Sequence, residues 1–479
     1  MWTNRDALWA ATSAPDPSDL ASTRRDWLQR SACGFGYLAL SGLATIDARG
    51  GNRQPTHHRP TARRVIFLFL HGGVSHVDSF DPKPKLTQYD GKPFPFQKPE
   101  VTFAATGNLL KSPWQFRQYG ESGLPVSSLF PNIGRCMDDI CVVRSMQSDF
   151  VSHGGAALQL HTGDGNLTRP SLGSWLMYGL GTENNTLPGF INISPSYYHG
   201  GAQNYGAAFL PARYQGMRIG DGNTRFEGGS IDNLAQAGSD RNQQRRQLDL
   251  LRRWNQRYAQ RRADDLRLTA RIEAFELAFR MQRHIPQVID ISGESQETLD
   301  LYGIGTEPTD EYGRECLLAR RLAERGVRFI QVSHSYPLNY WDQHGGLKRG
   351  HQDNARKVDQ PIAGLLKDLK RRGMLQDTLL VFGTEFGRSP AVQGKDGRDH
   401  NPTGFTMWFS GGGIRGGTSY GATDEFGYFA VDDIVTINDF HAIILHLMGL
   451  DHRRLTYRHA GRDFRLTDVG GRVPSAILA

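Results

Sequence analysis

The run Arg63-Arg64-Val65-Ile66-Phe67-Leu68-Phe69-Leu70 constrains the fold more than any other segment. It has no polar alternation, so it reads as a strand buried on both faces. It stops abruptly at His71-Gly72-Gly73-Val74-Ser75-His76-Val77-Asp78. Downstream, the strand pattern Val327–Ser333 leads into Trp341-Asp342-Gln343-His344, and Thr378–Gly383 runs into Thr384-Glu385-Phe386-Gly387-Arg388. Asp399-His400 precedes a further strand, Phe405–Ser410. Ligands of open α/β sheets bind beyond the carboxyl ends of strands. Here those ends carry His, Asp or Glu, a donor set suited to a divalent metal.

Helical patterns separate the strands: Ser127–Met137 before a strand at Ile140–Arg144, then Tyr312–Arg325, Gln352–Arg372 and Asn438–Met448, the last ended by Gly449. Another helix opens at His153, and Phe190–Ser194 is a short strand. This alternation predicts an α/β fold with a mostly parallel central sheet and helices on both faces. Residues 236–290 break the pattern. Leu248, Leu251, Trp254, Tyr258, Ile272, Phe275 and Phe279 recur there at helical spacing, which predicts a helical insertion with arginine-rich solvated faces. Aromatic residues are not regularly interleaved with the arginines, so nucleic acid is not an expected partner.

The 479-residue chain carries a net charge of +7, a weak pull toward acidic polymers. Its four cysteines form no CxxC pair, which argues against a thiolate zinc site. Thr23-Arg24-Arg25-Asp26-Trp27-Leu28 and the apolar stretch after it resemble a twin-arginine export signal over residues 1–45. A periplasmic or extracellular location follows, with membrane contact only through an uncleaved leader. Residues 46–62 read as a linker and 63–479 as one domain.

The phrases Phe69–Asp78, Arg169–Trp175, Thr384–Pro390, Gly397–Pro402 and Asp424–Gly427 resemble the bacterial family called domain of unknown function 1501, over roughly Thr23 to Leu478. That family in turn resembles the alkaline phosphatase and sulfatase superfamily. Thr384-Glu385-Phe386-Gly387 stands in the place of a Ser-Asp-His-Gly metal motif, and Asp439–Leu450 is similar to the superfamily's carboxyl-terminal helix. The resemblance implies an alkaline-phosphatase-like sandwich and a metal-dependent hydrolase of phosphate or sulfate esters, acting on a small molecule or a polysaccharide. It implies metal positions at His71, Asp342, His344, Glu385 and His400, with His76 and Asp78 as further candidates. Zinc is favoured, with calcium or manganese as alternatives. Two departures are visible: Phe386 replaces a His ligand and His71 replaces an Asp.

Ser148 and Ser152 are candidate nucleophiles at the opening of the helix that starts at His153. His153 and Asp399 would orient groups or transfer protons, and Arg388 would clamp an oxyanion. No cysteine or serine has the formylglycine context, no HExxH or P-loop pattern is present, and Gly73-Val74-Ser75-His76-Val77 fails the GxSxG pattern. Two readings stand beside the hydrolase: a non-catalytic binding or envelope-complex protein on the same scaffold, and a metallo-isomerase or mutase.

Overall fold

The first strand, β1 (Arg64–Leu70), lies in the middle of a nine-stranded sheet. It pairs in parallel with β5 (Phe329–His334) on one side and β6 (Thr378–Gly383) on the other. Beyond β5 come β3 (Phe190–Ile193) and β4 (Met217–Ile219), both parallel. Beyond β6 the direction reverses at β7 (Phe405–Ser410), which is antiparallel to β6 and to β2 (Ile140–Gln147). Two short strands, β8 (Thr418–Tyr420) and β9 (Val435–Thr436), complete the β2 edge. The protein is known here from a computed structural model that describes residues 56–96, 107–226, 228, 241–260, 266–335 and 341–479. The leader and the first part of the linker lie outside the described residues.

Side chains of β1 alternate between two cores. Ile66, Leu68 and Leu70 face one cluster, and Val65, Phe67 and Phe69 face the other. Burial on both sides is why this strand shows no polar alternation. The first cluster is covered by α5 (Asp310–Glu324) and α6 (Leu347–Arg371), through residues such as Leu317, Leu318, Val358 and Ile362. The second is covered by α1 (His153–Thr162), α2 (Leu172–Leu180) and α7 (Ile437–Leu447), through Leu160, Trp175, Phe440 and Ile444. Residues 241–289 contain two helices, α3 (Arg241–Gln260) and α4 (Leu266–Ile289).

Two expectations change. The helix expected over Ser127–Met137 is only a single turn at Pro131–Gly134 and a 3-10 turn at Met137–Asp139. Pro131 supplies no amide hydrogen, and Gly134 weakens the next turn. The described part of the expected linker is anchored to the domain. His57 N donates to Gly449 O at 2.8 Å, and Ala62 N to Leu447 O at 2.9 Å.

A capping box starts α7: Asp439 N donates to Thr436 Oγ1 at 3.2 Å, and Thr436 N donates to Asp439 Oδ2 at 2.9 Å. Thr436→Ala should cost about 1 kcal/mol of stability, read as a lower urea midpoint at unchanged slope. An unmoved midpoint would show that water replaces the cap at no cost.

Candidate metal centre

β5, β1 and β6 are adjacent and end at the same edge, so the residues that follow them are brought together by topology alone. His71 leaves β1 with its ring stacked on Phe69 at 5.4 Å between centroids. Gly72 follows at φ 119°, and a Cβ there would lie 2.7 Å from Trp341 N. Only glycine allows the segment carrying Asp342 to come this close. The freed Gly72 N–H donates to Glu385 Oε1 at 2.9 Å and Oε2 at 3.1 Å, which fixes the carboxylate just past β6.

His153, the first residue of α1, bridges two carboxylates: its Nδ1 is 2.7 Å from Glu385 Oε1 and its Nε2 is 3.2 Å from Asp342 Oδ2. Asp342 Oδ1 also meets His344 Nε2 at 2.9 Å, His400 Nε2 at 3.1 Å and Arg388 Nη2 at 2.6 Å. On the other side of His153, His71 Nε2 faces His199 Nδ1 at 3.0 Å and Glu385 Oε1 at 3.8 Å. A two-residue ribbon, Gly387–Arg388 against His400–Asn401, holds Arg388 opposite His400.

The electrostatics separate the histidines. Burial lowers His71 to about 4, so it is neutral near pH 7. Burial also lowers His400, helped by Arg388, against the pull of Asp342. Burial opposes the charge on His153, but hydrogen bonds to Asp342 and Glu385 outweigh it and its pKa is raised. His344 is raised by its bond to Asp342. Burial pushes the Glu385 carboxyl up, and the flanking His71 and His153 outweigh it, bringing it down to about 2. Asp342 is likewise lowered, since bonds from His153, His344 and His400 overcome burial.

Several features fit a cation. His400 Nδ1 lies 2.7 Å from Val151 O, so it carries the proton and donates it. Nε2 can then meet Asp342 Oδ1, at 3.1 Å, only by carrying a second proton, which burial opposes, or by sharing a cation with it. Asp399 Oδ2 and His71 Nδ1 are buried without hydrogen-bond partners among the described residues. Ligand atoms of His71, His153 and His199, of His153, Asp342 and His400, and of His344, Asp399 and His400 each lie within 4.8 Å of one another.

The structure thus gathers His71, His153, Asp342, His344, Glu385, Asp399 and His400. It does not bring His76 or Asp78 there. They sit on a 3-10 turn beyond the glycines, where His76 Nε2 lies 2.7 Å from Gly427 O. Asp78 accepts from Arg398 Nε at 2.7 Å, a fully buried pair. Arg388 is not presented to an incoming anion either. It is completely buried and donates to the carbonyls of Gly72, Gly73 and Arg398 as well as to Asp342. Its role is to position Asp342 and the Gly-Gly turn. Ser148 is buried and donates to Gln159 Oε1 at 3.0 Å. Ser152 is the N-cap residue of α1; it is exposed, and its side chain makes no cap bond. Phe386 packs on His400 at 4.4 Å and on His153 at 4.8 Å.

His199 was not anticipated. It lies in an irregular turn at φ 52°, without periodic context. A signal was nonetheless present. The tripeptide His-Gly-Gly occurs at His71, His153, His199 and His344, and nowhere else in the chain. All four histidines belong to this cluster.

Fold and site together define an α/β protein with a histidine–carboxylate centre at the carboxyl edge of a mostly parallel sheet. The chain belongs to the family described as Protein of unknown function (DUF1501), whose model matches residues 62–478. No curated protein sequence matches it. Similar solved structures include the PsFucS1 sulfatase from Pseudoalteromonas sp., at 13% identity and TM-score 0.35, covering 87% of this chain and 71% of that one. The lipoteichoic acid synthase LtaP from Listeria monocytogenes is similar at 8% identity and TM-score 0.38, covering 86% and 76%. Alkaline phosphatase from the Antarctic bacterium TAB5 is similar at 12% identity and TM-score 0.33, covering 81% and 98%.

Proposed function

We propose that the protein is an exported, metal-dependent hydrolase of phosphate or sulfate esters. One observation carries this reading: His400 Nε2, on a ring whose other nitrogen donates to Val151 O, faces Asp342 Oδ1 at 3.1 Å inside a cluster of further imidazoles and carboxylates. Asp342, His344 and His400 would hold one ion. His71, His199 and Glu385 supply donors on the other side of His153. A bound divalent ion, zinc foremost with calcium or manganese as alternatives, supplies a Lewis acid for the ester oxygens and lowers the pKa of a water or hydroxyl.

The chain's own groups supply the rest. The amino-terminal end of α1 favours an anionic ester through its free N–H groups. Ser152, exposed at that end, is the hydroxyl best placed to attack. His153, the next residue, is placed to hold or pass a proton through its Nδ1 and Nε2. Arg388 fixes the direction of the Asp342 carboxylate. The twin-arginine sequence supports export of the folded chain. A small-molecule or polysaccharide ester would be the substrate.

Phe386 favours a second reading. Its ring occupies the place of a ligand in the superfamily motif and lines the centre between His153 and His400, which suits a scaffold that binds an acidic polysaccharide without turnover. Elemental mass spectrometry of the purified protein, with turnover of aryl phosphates and aryl sulfates, separates the two. Stoichiometric metal and hydrolysis of either ester class are expected. Protein that stays empty after soaking in zinc, manganese and calcium would sink the hydrolase. Loaded protein that retains a polysaccharide but cleaves no ester would support the second reading.

A further inference from the structure

Helix α3 turns an unusual face outward. It carries six arginines and a single acid, Asp249. That acid is engaged by Arg245, which also bonds Glu276 of α4 at 2.8 Å. At 100° per residue, Arg246, Leu250, Arg253, Trp254 and Arg257 fall within one sector of about 100°. Leu250 is 45% exposed and Trp254 58%. An indole and a leucine framed by arginines, with the helix's single acid, Asp249, outside the sector and paired with Arg245, are the chemistry of a helix lying in the plane of a lipid interface.

We propose that this face of α3 docks the protein on an anionic membrane surface, with Trp254 and Leu250 entering the headgroup layer and Arg246, Arg253 and Arg257 meeting lipid phosphates. Charge complementarity selects this occupant. A second copy of the chain would bring the same three arginines against themselves. A sulfated or carboxylated glycan would satisfy the arginines but leave Leu250 against hydroxyl groups. The sequence alone pointed to membrane contact only through the amino-terminal segment, so this is a separate contact, on the folded domain.

Co-sedimentation of the full chain with phosphatidylcholine vesicles, and with vesicles of phosphatidylcholine and phosphatidylglycerol in equal parts, tests it. Binding should be at least about tenfold greater on the anionic vesicles and should fall with added salt. Two variants isolate α3, because the amino-terminal segment is common to all: Leu250→Glu with Trp254→Glu, and Arg246→Gln with Arg253→Gln and Arg257→Gln. Each should lose the anionic preference while keeping the wild-type circular dichroism, since every substituted side chain is exposed. Equal binding to both vesicle types, or undiminished binding by both variants, would overturn the proposal. Capture by immobilised dextran sulfate without capture by either vesicle would also overturn it and assign the face to an acidic polysaccharide.

Discussion

Asp342→Ala is expected to empty the centre and abolish ester hydrolysis. Its carboxylate is the common partner of His153, His344, His400 and Arg388. Removing it leaves Arg388 buried with no carboxylate partner among the described residues, leaves His344 and His400 without the charge they meet, and leaves His153 with Glu385 alone. Loss of an outer partner of a metal ligand already costs roughly 10–100-fold in affinity. Loss of a ligand that also organises its neighbours should exceed that. Metal content per chain and hydrolysis should therefore both vanish, while Asp342→Asn, which preserves shape without charge, should retain the fold and still lose metal. If the alanine variant binds metal with wild-type stoichiometry, the centre does not lie where the geometry places it.

The second large effect concerns stability. Asp78 and Arg398 are both fully buried and meet at 2.7 Å and 3.2 Å, and Arg398 also donates to Leu110 O and Ser389 O. Asp78→Ala strands the guanidinium in the core and should cost about 3–5 kcal/mol. Arg398→Met in addition should recover part of that loss, because the stranded charge goes too. Burial raises the Asp78 carboxyl, and Arg398 outweighs it, so the folded pKa is lowered. The pair therefore contributes fully above the unfolded aspartate value of about 4 and is lost as pH falls through the folded value. Wild type should lose its margin over Asp78→Ala in acid. A cost below about 1 kcal/mol at neutral pH would put the pair in the class of solvent-screened surface bridges.

The sheet was legible because its central strands are buried on both faces. Thr378–Gly383 and Phe405–Ser410 coincide with β6 and β7, and β1 begins one residue inside the expected run. Residues directly after such strands could be placed from sequence, since topology carries His71 and Glu385 to one edge. What lay further along an irregular segment could not. His76 and Asp78 share the stretch with His71, but two glycines of positive φ redirect the chain before them, and they sit on a 3-10 turn. Arg388 looked like an anion clamp because its type is visible in the sequence and its burial is not. His199 had no strand or helix to mark it, and only the fourfold His-Gly-Gly repeat could have revealed it.

The placement of β1 has a consequence for how the molecule comes into being. Val65 pairs with Phe329 and Arg64 with Thr378, so the central strand waits for partners more than 260 residues downstream. Thr61 and Ala62 are tied to Leu447, later still. Such distant pairings make folding slow and expose β1 in the nascent chain. The centre cannot form on the ribosome until His400 has emerged, so any ion it holds would be acquired only after synthesis is nearly complete.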